Sequence, residues 1–323
     1  MTETANISKR DRILGGLWGS VVGDALGVPV EFFDRTTRQI DPVKDMRGYG
    51  SHRQPPGTWS DDSSLLLCSA DSLLHYEFNL EDMGQRFVKW YNENLWTPHG
   101  QLFDIGNTTA EAIIRLSRGI RAELAGSDSQ FSNGNGSLMR IIPVSLRFAN
   151  LPLAHALDRV HRASAVTHRH MRSQMACGFF TIMIRELLSG ADAGTAYIRS
   201  AATFREFYQE DPSWSVELDY FHLLLIEDVR KLSENEIASS GYVVHTLTAG
   251  VWCLLTTTNY TDCVLKAVNL GGDADTIGCV AGSLGGVLYG VSAIPQNWVR
   301  ALARYNDIEA LFNRFADLCV AKP

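Results

Sequence analysis

Glycines stand at positions 15, 19, 23 and 27 of the stretch DRILGGLWGSVVGDALGV, four residues apart each time. On an α-helix, residues four apart lie on one face, so these glycines form a smooth stripe with no side chains. A stripe of that kind lets another helix approach closely. Pro29 closes the segment, since proline cannot continue a helix interior. A chain that begins this way asks for helix-on-helix packing.

Other long segments carry the same helical period. DDSSLLLCSADSLLHY starts with acids, which favour the N-terminal turn. MRSQMACGFFTIMIRELLSG runs long and stops at glycine. SWSVELDYFHLLLIEDVRKLS, GYVVHTLTAGVWCLLTTT and the small-residue-rich DTIGCVAGSLGGVLYGV read alike. The β-branched runs are short, and none alternates cleanly between turn signals. Strands do not alternate with helices, which disfavours a doubly wound fold. No low-complexity linker or internal repeat divides the chain. The expectation is all-α, one domain over residues 1–323, with about a dozen helices and the informative residues in the loops between them.

Composition bounds the function. The 323 residues are 45% apolar and 20% charged, ample for a large core. Formal net charge is −7, and no run of Lys or Arg exceeds two neighbours. A general nucleic-acid surface needs clustered basic charge, so that class is not expected. An acidic protein can still bind an anionic small molecule where a metal or backbone N–H groups supply local positive potential. The six cysteines show no C-x-x-C spacing and sit mostly in apolar runs, which reads as reduced core residues. The N-terminus has no hydrophobic signal core, and no uninterrupted apolar run reaches the ~18 residues of a membrane span. The expected location is the cytoplasm.

Two acidic stretches stand out. NLGGDADTIG, 269–278, leads with two glycines into Asp273 and Asp275, with Thr276 behind them and an apolar segment following. GTWSDDSS, 57–64, puts Ser60, Asp61 and Asp62 at a helix start. Each pairs carboxylates with a hydroxyl, the oxygen donors that hard cations such as Mg²⁺ take. Should both loops converge, four carboxylates and two hydroxyls share one space, and a metal would relieve their repulsion. The plainer alternative makes all four acids helix N-terminal groups.

FSNGNGSLMRIIPV, 131–144, holds Asn133, Gly134, Asn135 and Gly136 before an apolar segment. Such a loop can turn successive N–H groups toward a phosphate, or serve as an ordinary turn. It lacks the Gly-Lys-Ser/Thr ending of a P-loop. VTHRH supplies His168 and His170, but a spacing of two does not put both on one helical face for a shared zinc. GDALGVPVEF carries Asp24 and, past the proline, Glu31, a solvated loop acid or an acid/base leaning over a site. FDIGNTT places Asp104 beside glycine ahead of Thr108 and Thr109, which reads as a helix-start turn.

In order, GGLWGSVVGDALGVPVEF, GTWSDDSS, FDIGNTT, NGNGSLMRIIPV, THRH and NLGGDADTIGCVAGSLGGVLYG resemble the ADP-ribosylglycohydrolase family, also called the dinitrogenase-reductase-activating glycohydrolase family. The match covers residues 11–291. The resemblance implies an orthogonal all-α bundle with a cleft holding two Mg²⁺ ions, for which Mn²⁺ can substitute. By position it implies Ser60, Asp61, Asp62, Asp273, Asp275 and Thr276 as metal ligands. Glu31 matches the family's mobile catalytic glutamate, and Asp104 a second catalytic acid of some members. Asn133, Gly134, Asn135, Gly136, Ser137 and Leu138 match the diphosphate-binding turn, and His168 a histidine that holds ADP-ribose. Ser60 and Ala274 stand where threonine is commoner. Ser60 keeps the hydroxyl, and Ala274 need not be a ligand, so the metal site is expected to survive.

The implied function is Mg²⁺-dependent removal of ADP-ribose from a modified protein side chain, arginine first on family frequency. The ADP-ribosylated partner would be a metabolic enzyme or the target of an ADP-ribosylating toxin, with this chain as antidote. The alternatives are serine-linked, small-molecule or nucleic-acid conjugates, or a non-catalytic ADP-ribose binder. Acceptor choice would fall to loops at 34–56 or 92–103, with Tyr49, His52, Trp96 and His99.

Overall fold

Three glycines of the first helix meet three of another. The computed structural model describes residues 7–225 and 228–321. The first helix, Lys9–Gly27, starts at Ser8, whose side chain accepts from the Asp11 N–H. It packs antiparallel on the Ala274–Tyr289 helix, where Gly278, Gly282 and Gly286 repeat the four-residue spacing. A Cβ on Gly15 would lie 2.1 Å from the Gly286 carbonyl oxygen, on Gly19 2.2 Å from that of Gly282, and on Gly23 2.0 Å from that of Gly278. The reverse contacts are as tight, 1.9 Å from Gly286 to the Gly15 oxygen. Only glycine on both helices permits this approach. The Tyr260 hydroxyl donates to the Gly19 carbonyl at 3.0 Å and fixes the pair from one side.

This contact locates the acids. Gly27, at the end of the first helix, would place a Cβ 2.2 Å from the Cα of Asp275. The C-terminal end of the first helix, with Glu31 just past it, is therefore pressed against the N-terminal end of the second.

The same packing qualifies the membrane expectation. Lys9–Val30 is long and apolar enough to cross a bilayer by length and composition, the glycines notwithstanding, yet its apolar part, Ile13–Val30, is buried inside the protein. Trp18 adds a stacked contact with Tyr305 at 5.5 Å and an edge contact with Phe312 at 5.1 Å.

Seventeen α-helices and five short 3₁₀ turns occur among the described residues, and no strand. The all-α expectation holds. The number exceeds about a dozen because some helices, such as Ala122–Ala125, are single turns too short for a hydrophobic period to reveal. The expectation of one long helix over SWSVELDYFHLLLIEDVRKLS needs correction, since that stretch breaks into the short turns Pro212–Ser215, Leu218–Phe221, His222–Leu225 and Val229–Lys231. The six cysteines are free and buried, as their apolar settings foretold.

Candidate active site

The Asp61–His75 helix brings the second acidic stretch to the same place. Its start is held by Asp24 of the first helix. That buried carboxylate accepts from the Ser60 N–H at 3.0 Å, the Ser63 N–H at 3.0 Å and the Ser63 hydroxyl at 2.5 Å. Ser60 is itself the N-cap, its hydroxyl accepting from the Asp62 N–H at 3.2 Å. With both capping roles filled, Asp61 and Asp62 are not needed as caps. Both are buried, and Thr276 reaches across to Asp62 Oδ1 at 3.3 Å.

The glycines of NLGGDADTIG have a conformational reason. Gly271 and Gly272 take φ of +73° and +67°, and a Cβ on Gly272 would lie 2.0 Å from the Ser239 carbonyl oxygen. The turn pairs with the Glu31 loop through Phe32 N–H to Gly272 O at 2.7 Å and Gly272 N–H to Phe33 O at 2.8 Å. Asp273 begins the Ala274–Tyr289 helix but makes no side-chain cap bond. Its carboxylate instead accepts from the Asn135 amide at 2.9 Å. The N-cap alternative therefore fails for Asp273 as well.

These elements enclose a cleft of about 330 Å³. Its lining includes the carboxylates of Glu31, Asp61, Asp62, Asp104 and Asp273, with Thr276, and no Lys or Arg. Asp275 lies just behind, its carboxylate within 4.8 Å of those of Glu31 and Asp273. Burial and mutual repulsion raise the protonation of Glu31, Asp61, Asp62, Asp104 and Asp275. Glu31 is pushed up to about 7, by desolvation and then by Asp104 and Asp273, against the lowering bond from His52. Asp61, Asp62 and Asp275 are driven well above the carboxylate range, desolvation first and neighbouring acids next. Asp104 is raised for the same leading reason.

A divalent cation fits these residues. The donors are hard oxygens, and Asp62 Oδ2 is buried with no hydrogen-bond partner. A buried carboxylate oxygen left this way is costly unless something positive sits against it. Of the expected ligands, Asp61, Asp62, Asp273 and Thr276 line the cleft directly, and the Ser60 hydroxyl, which caps the helix with one lone pair, keeps the other.

Beside Asp273, Gly134, Asn135, Gly136 and His168 line the same cleft. The loop is pinned by Asn135 N–H to Gly241 O and Val243 N–H to Asn133 O, both 3.0 Å. Among the described residues the Gly134 and Gly136 N–H groups have no acceptor. A Cβ on Gly136 would lie 2.8 Å from both His168 Cε1 and Thr109 Oγ1, so only glycine lets the loop lie this close. His168 is buried and its imidazole is pushed down to about 3 by desolvation, then by Arg140, so it is neutral. Asn133, Ser137 and Leu138 stand behind the loop. The Asn133 side chain accepts from Ser173, Ser137 takes a bond from Ser164, and the Leu138 N–H is spent on the Asn135 carbonyl. His170 points away and caps the Met171–Leu188 helix, which rules out a shared zinc with His168.

Of the loop residues expected to bear on acceptor choice, His52 lies against Glu31, its Nε2 2.5 Å from Oε2. Trp96 carries the Arg304 guanidinium over its ring at 4.8 Å, His99 bonds Thr58 at 2.8 Å, and Tyr49 is exposed. Sequence reasoning also missed Gly241, where a Cβ would stand 3.0 Å from Asp273 Oδ2. A glycine after two serines carries no signal of that role.

Fold and cleft define the class: an all-α protein whose helix ends converge on a carboxylate-lined pocket suited to a cation, faced by a loop suited to an anion. The ADP-ribosylglycohydrolase family model matches residues 5–323. ADP-ribosylarginine hydrolase Tri1 of Pseudomonas putida is 31% identical over 95% of this chain and 78% of its own length. ADP-ribosyl-[dinitrogen reductase] glycohydrolase of Rhodospirillum rubrum is 30% identical over 91% of each chain. A solved chain described as an ADP-ribosylglycohydrolase-related protein complex superposes with a TM-score of 0.81 at 32% identity, over 97% of this chain and 99% of that one. The chain belongs to the ADP-ribosylglycohydrolase family, hydrolases that act on glycosyl bonds.

Proposed function

We propose that the chain hydrolyses the N-glycosidic bond between ADP-ribose and arginine in a modified protein, with two Mg²⁺ ions held by Ser60, Asp61, Asp62, Asp273, Asp275 and Thr276. The carrying observation is the set of cleft carboxylates with no Lys or Arg among them, one with an orphaned oxygen, in the same cleft as the open amides of Gly134 and Gly136. The relatives named for ADP-ribosylarginine and for ADP-ribosyl-dinitrogen reductase support the linkage.

Bound Mg²⁺ would orient the ribose hydroxyls and polarise bound oxygens. The chain's own residues do the rest. Gly134 and Gly136 offer N–H groups to the diphosphate. Neutral His168 packs beside that loop and adds no charge to titrate. Breakage of the C–N bond builds positive charge on the ribose, which the surrounding carboxylates stabilise. Glu31, raised to about 7, can take a proton from the attacking water as the guanidine departs with the bonding pair. Asp104, also raised, stands close enough to return a proton to the leaving nitrogen.

The test incubates purified protein with ADP-ribosyl-arginine protein and ADP-ribosyl-serine peptide in parallel, with Mg²⁺ and with EDTA. Mg²⁺-dependent release from the arginine substrate alone is expected. Release from serine alone would overturn the linkage, and tight ADP-ribose binding without release from either would make the chain a binder.

A further inference from the structure

His52 is drawn to Glu31 by a loop built for that contact. Between residues 48 and 54 the chain closes on itself through Tyr49 N–H to Gln54 O at 2.7 Å and Arg53 N–H to Gly50 O at 3.1 Å. Tyr49 and Arg53 both take the left-handed conformation, φ +64° and +55°, which costs a non-glycine residue free energy. The loop lies directly on the Glu31 segment. A Cβ on Gly50 would sit 1.6 Å from the Pro29 carbonyl oxygen, and Ser51 N–H donates to that oxygen at 3.1 Å. The Ser51 hydroxyl donates to the Glu31 carbonyl.

From this platform the His52 ring enters an aromatic slot. Phe32 stands 5.8 Å away and Phe103 5.2 Å, both tilted. The slot fixes the ring plane, and Nε2 meets Glu31 Oε2 at 2.5 Å. When Glu31 is ionised, the state in which it acts as a base, its carboxylate only accepts, and Nε2 then carries the hydrogen. Asp104 joins the group, its carboxylate within 4.8 Å of both Glu31 and His52 ligand atoms. A free glutamate side chain in a cleft rotates among several rotamers. Here one of its two oxygens is tied, so the other is left for the reacting centre.

We propose that His52 is the positioning residue of Glu31, holding the carboxylate in one orientation through the Nε2–Oε2 bond while Phe32 and Phe103 hold the imidazole. This rests on the hydrolase reading above and adds to it the residue that sets the geometry of the acid/base. A side chain that only filled space would be replaced by any ring of similar size. A positioning donor is not.

The test compares His52→Phe and His52→Gln with the wild type. Phenylalanine keeps the slot filled and removes the donor. Glutamine returns an amide N–H at similar reach. His52→Phe is expected to lower kcat by about 10- to 100-fold, the loss that small misplacements of a catalytic group produce. KM and Mg²⁺ affinity by calorimetry should stay at wild-type values, and His52→Gln should recover most of kcat. Wild-type kcat in His52→Phe overturns the proposal, as does equal impairment of both variants with Tm unchanged. A second readout does not depend on turnover. The wild-type protein should show a downfield imidazole N–H proton resonance that Glu31→Ala abolishes, and its persistence in that variant overturns the proposal. With that resonance behaving as expected but no ADP-ribose released by the wild type, the hydrolase reading fails while the His52–Glu31 contact stands.

Discussion

Asp24 and Asp62 are both buried acids at the start of the Asp61–His75 helix, and their chemistry is opposite. Asp24 accepts three hydrogen bonds from Ser60 and Ser63, whereas Asp62 Oδ2 accepts none. Desolvation raises Asp24 only to about 6, because those donors favour its charged form. Asp24→Asn should therefore remove charge-assisted caps and lower stability by about 2 kcal/mol in urea denaturation. Asp62→Asn should leave apo stability equal or higher, since it removes one like charge from a crowded group. It should also cut Mg²⁺ affinity and lower turnover by about 100-fold. Undiminished turnover in Asp62→Asn would sink the metal reading. The carboxylate pairs were legible because two acids beside a hydroxyl at an apolar helix start are unusual. The division of labour was not: Ser60 is also the helix cap, and Asp24 reads as one more residue of a glycine helix. Only the partner atoms distinguish them.

The Lys9–Gly27 and Ala274–Tyr289 helices show what spacing reveals and what it leaves open. The first stripe announced a close helix partner. Its mate carries the same period in Gly278, Gly282 and Gly286, but nothing in either stripe states that they run antiparallel in that register. That register sets the distance between Glu31 and the Asp273–Asp275 pair. Neighbouring glycines of one helix make a controlled comparison. A Cβ on Gly286 would lie 1.9 Å from the Gly15 carbonyl oxygen, whereas one on Gly285 meets only side-chain atoms at 3.5 Å and beyond. Gly286→Ala should destabilise by about 2–3 kcal/mol by forcing the backbones apart. Gly285→Ala should be neutral or stabilise by up to about 1 kcal/mol, the helix-propensity gain of alanine. Thermal denaturation of the two variants side by side checks this, and equal Tm values would show that the helices separate without strain.

Across the whole molecule, the acid cleft couples folding to both protons and metal. Without metal, Glu31, Asp61, Asp62 and Asp275 hold protons in the folded state at pH values where the unfolded chain has released them. The folded state then binds more protons, so apo stability falls as pH rises from the ordinary carboxylate range through about 7. His168 acts in the other sense. Its folded value near 3 lies below the ordinary imidazole value of 6.5, so its contribution is complete above 6.5 and is lost as pH falls toward 3. A divalent cation displaces the carboxylate protons and binds best where they are already gone. The Tm gain from Mg²⁺ over EDTA should therefore grow from pH 5.5 to pH 8, and Asp62→Asn should flatten that growth. Metal binding to a remote surface site would give an increment independent of Asp62. An increment that shrinks with rising pH would mean that the cleft carboxylates are not the ligands.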